Sequence, residues 1–144
     1  MQDTLRGMRR ERGTDDRGFT LIELLVVVVI IGVLVAIAIP VYLNYRKGAE
    51  NKSAESDLRG AVPAIEQCYA DGGSSYPATQ PASTSPVTLT CGTGDPETLN
   101  VSNGNTITYT NLGTTPGSYT VAVSNADTGT TYTYSSGTGQ IVKS

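Results

Sequence analysis

The hydrophobic pattern along the chain changes period twice, and each change marks a different structural element. From Phe19 to Leu43 apolar residues follow one another almost without a break, and between Leu24 and Ile39 every residue is apolar apart from Gly32. At about 1.5 Å per residue these 25 positions make a helix of roughly 37 Å, enough to cross the hydrocarbon of a bilayer. Beyond it Ala54, Leu58, Ala61, Val62, Ile65, Cys68 and Tyr69 recur at three- and four-residue spacing, with Lys52, Glu55, Ser56, Arg59 and Glu66 on the other face. That is the period of an amphipathic helix, and Glu55 and Arg59 are ordered for an i,i+4 pair. One helix is therefore expected from Phe19 to about Ala70. Gly48, Gly60, Pro40 and Pro63 should interrupt it locally, the prolines by removing backbone donors, and Asp71-Gly72-Gly73 should end it.

After residue 73 the period is lost and then becomes two. Residues 74–105 are rich in Ser, Thr, Pro and Gly and read as loop, with one short strand at Val87 to Cys91. Ile107 and Tyr109 then alternate with Thr106, Thr108 and Thr110, Tyr119, Val121 and Val123 with Thr120 and Ala122, and Tyr132 and Tyr134 with Thr131 and Thr133. These are strands with one buried face, and Gln140 to Val142 reads as a last one. Turns at Gly113 to Gly117, Asn125 to Gly129 and Ser135 to Gly139 are short, which favours antiparallel pairing. Neither the sheet nor the stripe from Ala54 to Tyr69 can bury its apolar side alone, so the two are expected to pack on each other in an α+β fold. The divisions are a leader at 1–18, the long helix at 19–70 (19–43 for the membrane, 44–70 for the sheet) and a β head at 71–144.

Charge sharpens the reading of the amino terminus. Residues 1–17 carry five arginines against four acids, which leaves five basic and nine acidic side chains after them. A basic flank before an apolar segment stays on the cytoplasmic side, whereas the acidic remainder offers nothing to grip nucleic-acid phosphates. A cleaved secretory signal is the rival, because Ala36-Ile37-Ala38 fits a small-x-small site. The apolar run is longer than the usual signal core, and Glu23 lies inside it. The mature amino terminus would be Phe19 on one reading and Ile39 on the other.

The chemistry is sparse. There is no histidine, and Cys68 and Cys91 are not in a metal-binding or C-x-x-C spacing. No catalytic constellation, phosphate loop, cofactor site or metal site can be assembled, with Asp95, Glu97 and Asp127 too scattered for a calcium site. An exported head would meet an oxidising compartment, where Cys68 and Cys91 are expected to pair. The exposed threonines are ordinary strand residues, and Tyr42 and Tyr45 fit a membrane interface.

Glu23 has two readings. Thr20-x-x-Glu23 has the spacing of a helix capping box. An ionised acid in hydrocarbon also costs about 2.5 to 3.5 kcal/mol and calls for a cation, of which the apolar run has none.

A basic leader ending Arg17-Gly18, then F-T-L-I-E-L-L from Phe19, a long apolar run with Gly32 and Pro40, and an amphipathic helix leading to a small sheet resemble the type IV pilins and pseudopilins. The resemblance is carried by residues 17–42; the head is similar in architecture only. It implies cleavage between Gly18 and Phe19 by a prepilin peptidase and methylation of the Phe19 amine. It also implies residence in the cytoplasmic membrane, in contact with lipid, and then polymerisation by an assembly machine into an extracellular filament. In that setting Glu23 pairs with the Phe19 amine of a neighbouring subunit, and the segment from Gly32 to Pro40 melts on assembly. The function it implies is a structural homopolymer subunit, not an enzyme. A pseudopilin of a secretion or DNA-uptake system is the alternative, and a membrane-anchored binding module is the alternative of another class.

Overall fold

The computed structural model describes residues 18–113 and 117–144. The expected leader through Arg17 and part of the Gly113 to Gly117 turn lie outside the described residues. The chain divides between Ile39 and Pro40 into two units.

The first unit holds the start of helix α1 (Leu21–Asp71). The helix begins two residues later than expected, because Thr20 stands at the cap position with its carbonyl accepting from the amides of Glu23 and Leu24. Every residue from Gly18 to Ile39 is exposed. An 18-residue window with a mean hydropathy of 3.4 makes α1 long and apolar enough to cross a membrane.

As expected, α1 is one helical element, and it runs through Gly32, Pro40, Gly48, Gly60 and Pro63. A proline removes one donor and one i→i−4 bond, and the neighbouring bonds carry the helix past it. The end is a glycine cap. Gly73 takes φ +80° and the amide of Ser74 donates to the Tyr69 carbonyl at 3.0 Å, the six-to-one bond of a Schellman turn.

In the second unit the carboxyl-terminal part of α1 lays Ala54, Leu58, Ala61, Ile65 and Cys68 into the core. Opposite them is a sheet of five strands in the order β1, β4, β5, β6, β7, where β1 is Gln80–Ser83, β4 Asn105–Asn111, β5 Tyr119–Asn125, β6 Thr131–Ser135 and β7 Gln140–Lys143. Strands β4 to β7 form an antiparallel meander, with Ile107 opposite Val123 and Val123 opposite Tyr132. Those side chains share the inner face, and the alternation of β5 is strict, buried at Tyr119, Val121, Val123 and Asn125. The threonines at 106, 108, 110, 120, 131 and 133 take the outer face.

Residues 74–105 depart from expectation. Besides β1 they contain a hairpin of β2 (Val87–Leu89) and β3 (Glu97–Leu99), which bury Leu89 and Leu99. The expected strand at 87–91 stops at Leu89, because Cys91 turns away into a disulfide with Cys68. Strands β1 and β3 have too few apolar residues to announce themselves, and pairing with β4 and β2 makes them strands. Gly92 shows how closely this loop lies against the helix end: its φ is +55°, and a Cβ there would stand 2.5 Å from the Gly72 carbonyl oxygen.

Both sheet edges are blunt. One edge, β1, contains Pro81 and a register shift; the other, β7, is four residues long and ends at Lys143. Short, proline-bearing or lysine-bearing edges do not template further strands.

Candidate assembly surface

The first candidate residues lie at the start of α1. Oε2 of Glu23 accepts hydrogen bonds from the Thr20 amide at 2.7 Å and from the Thr20 hydroxyl at 2.9 Å, and the Glu23 amide donates back to Thr20 Oγ1 at 3.3 Å. The capping box is therefore formed, with one carboxylate oxygen used. Glu23 is the only Asp, Glu, Lys or Arg between Phe19 and Tyr45.

Gly18 and Phe19 precede the helix and are exposed, Phe19 by 82%. A side chain at Gly18 or Gly32 would meet no atom within 4 Å. Gly32 and Pro40 are both helical. Val41, Tyr45, Gly48, Ala49 and Lys52 follow one another along one side of α1 and, with Asn44, line an open groove of about 570 Å³.

The second unit contains polar residues that periodicity did not single out. Asn105 and Asn125 are buried and face each other across β4 and β5, with Asn125 Nδ2 donating to Asn105 Oδ1 at 2.9 Å. Asn105 Nδ2 donates in turn to Asp57 at 2.7 Å and to the Ser53 hydroxyl at 3.2 Å, and Ser102 donates to Asp57 from both its amide and its hydroxyl. The signal was one of parity, since 105 and 125 fall on the inward positions of strands whose other inward residues are apolar.

Glu66 takes a second such role, accepting from the Tyr119 hydroxyl at 2.8 Å and more loosely from Tyr76. Tyr119 also has its ring within 6 Å, centroid to centroid, of Tyr76, Tyr109 and Tyr134. Burial first, and then the bond to Glu66, push the Tyr119 hydroxyl far above the ordinary phenol range; burial does the same to Tyr109, whose hydroxyl donates to the Pro77 carbonyl.

Among the described residues three ion pairs lie on the surface. Arg59 bonds Glu55, which holds that carboxyl below its ordinary value. Arg46 reaches Glu50 at 2.7 Å and Asp127 at 3.3 Å, and Glu50 is the larger cause of its raised pKa. Among the described residues no group of three or more His, Cys, Asp or Glu is placed to hold a metal ion.

Comparison with known proteins places these features. Residues 14–39 match the model of the prokaryotic N-terminal methylation motif. The type IV major fimbrial protein FimA of Dichelobacter nodosus is 50% identical over 56 residues, which cover 39% of this chain and 36% of that protein. The type IV major pilin protein PilA of Myxococcus xanthus is 39% identical over 56 residues, 39% of this chain and 26% of that one. The type II secretion system core protein G of Pectobacterium carotovorum is 33% identical over 84 residues, 56% of this chain and 53% of that one. The match thus spans about a third of the length of the fimbrial relatives. No solved structure gives a significant match. Residues 14–39 thus carry a prokaryotic N-terminal methylation motif, and the amino-terminal part of the chain is similar to type IV major pilins and to a type II secretion core protein, with the second half of the helix packed on an antiparallel sheet.

Proposed function

We propose that the chain is the structural subunit of an extracellular type IV pilus, synthesised with a leader of residues 1–18 and held in the cytoplasmic membrane by residues 19–43 before assembly. A prepilin peptidase cuts between Gly18 and Phe19, where the backbone is exposed and unencumbered, and the new amine on Phe19 is methylated. The assembly machinery then moves the subunit, with its head outside, into a homopolymer whose core is built from the apolar helices. The observation that carries this reading is the fully exposed apolar helix with a single carboxylate four residues beyond Phe19. An exposed face of that size calls for lipid or for other helices.

Cleavage supplies the cation that Glu23 lacks. Thr20 occupies Oε2, and Oε1 remains for the Phe19 amine of a neighbouring subunit. Melting of Gly32 to Pro40 on assembly belongs to the same proposal; it rests on the low helix propensity of the two end residues.

Glu23→Gln tests the reading, because it keeps an acceptor for the cap and loses the charge. Electron microscopy of shed surface material should show long filaments from the parent chain and none from the variant. Normal filaments from Glu23→Gln would overturn the charge role, and a mature amino terminus at Ile39 would overturn the processing site.

The pseudopilin reading stays as the second proposal, supported by the longer stretch matched to the Pectobacterium protein. Short fibres confined to the cell envelope would favour it.

A further inference from the structure

We infer that residues 44–52 of α1 form a collar for the headgroups of anionic phospholipids, with the ammonium groups of Lys47 and Lys52 as the phosphate contacts. This rests on the proposal that residues 19–43 lie in a bilayer. The second unit has five cations, and their partners sort them. Arg46 is engaged by Glu50 and Asp127, Arg59 by Glu55, and Lys143 lies 5.8 Å from the centre of the Tyr132 ring. Lys47 and Lys52 are exposed and, among the described residues, make no hydrogen bond or ion pair, Lys52 having only a longer-range attraction to Glu55.

Charge is also divided along the chain. Residues 40–52 hold three cations against one acid, and residues 53–144 hold two cations against seven acids. Asp127 returns to Arg46, so the positive charge beside the apolar run that has no ion-pair partner among the described residues is that of Lys47 and Lys52, and most of the acids are beyond it. The acids nearest in sequence after Glu55 have other duties, Asp57 on Ser102 and Asn105 and Glu66 on Tyr119.

Geometry fits a headgroup layer. Tyr42 and Tyr45 are 66% and 78% exposed where the apolar run ends, the position at which tyrosine marks a membrane interface. Lys47 follows Leu43 by about 6 Å along the helix and Lys52 by about 13 Å. The polar layer on each side of the hydrocarbon is about 5 to 7 Å deep. Helical side chains tilt toward the amino terminus, so both lysines lean back toward that layer, with long stems that extend their reach. A zwitterionic headgroup would cancel much of this attraction, and an anionic one would keep it.

The test uses the full chain in phosphatidylcholine bilayers, with spin-labelled phosphatidylglycerol or phosphatidylcholine reporting which lipid adjoins the protein. Phosphatidylglycerol should be favoured. The double substitution K47Q/K52Q should lower that preference about fivefold or more, the scale for removing surface cations beside anionic lipid. R59Q, outside the collar, should leave it unchanged. Comparison of variants within one chain removes the common contribution of the leader arginines. A preference equal in the parent chain and K47Q/K52Q would overturn the collar. Its loss to inorganic phosphate at constant ionic strength would also overturn it, by making the ligand a free anion. If alkaline extraction releases the parent chain from the bilayer, the membrane reading falls as well; a firmly inserted chain without headgroup preference sinks the collar alone.

Discussion

The buried amide of Asn105 donates to the carboxylate of Asp57 across 2.7 Å, tying the first residue of β4 to the start of the buried stripe of α1. Asp57 has three such donors, from Ser102 and Asn105, and Asn105 is also the acceptor for Asn125. Removing the carboxylate leaves a buried amide unmatched, which costs about 1 to 3 kcal/mol. Asp57→Ala should therefore lower the melting temperature of the head by several degrees, at about 4 to 8 °C per kcal/mol for a domain of this size. Calorimetry checks it, and an unchanged melting point would mean that the network contributes nothing net.

Cys68 and Cys91 join the last turns of α1 to the end of the β2 hairpin, 23 residues apart in sequence. Closing a loop of that size is worth roughly 3 kcal/mol through the unfolded chain. The double substitution Cys68→Ala and Cys91→Ala should lose about that much in denaturant unfolding, with the sheet spectrum retained under native conditions.

Gly92 is more sensitive than its exposed position suggests. Its left-handed φ and the Gly72 carbonyl 2.5 Å from any added Cβ are backbone constraints with no rotamer to relieve them. Gly92→Ala is expected to cost at least about 1 kcal/mol, whereas Gly113→Ala, which carries the φ penalty without the contact, costs less. Paired melting curves decide between them.

The tyrosine cluster predicts an alkaline limit. Tyr109 and Tyr119 have pKa values raised in the folded head, chiefly by burial, so the folded state keeps protons that the unfolded state releases. Their contribution is complete below the ordinary tyrosine value of about 10 and declines as pH rises beyond it. Unfolding midpoints should fall above that pH. Tyr119→Phe should make the fall shallower, while losing the Glu66 bond at neutral pH. Denaturation monitored by circular dichroism against pH measures both effects.

How far the sequence carried the fold varied with the kind of residue. The long helix was legible because Ala54, Leu58, Ala61, Ile65 and Cys68 recur every three or four residues for four turns, and β4 to β6 were legible because Ile107 and Tyr109, Tyr119, Val121 and Val123, and Tyr132 and Tyr134 alternate with small or polar residues, mostly threonines. Strands β1 and β3 were not, since Gln80–Ser83 and Glu97–Leu99 have no apolar period. Of the candidate site, Thr20 and Glu23 were legible as a capping box from their spacing alone.

By itself the sequence determined the likeness to type IV pilins, through an apolar run interrupted by one acid behind Gly18 and Phe19, because covalent order and hydropathy are properties of the chain. It also determined that helix and sheet must share a core, since each has an apolar side that water disfavours. Only the tertiary structure decided which polar groups close that core. Asp57 meets Asn105 from 48 residues away, and Glu66 meets Tyr119 from 53. Pairings at that distance depend on the crossing of α1 over the sheet, and no local pattern encodes them.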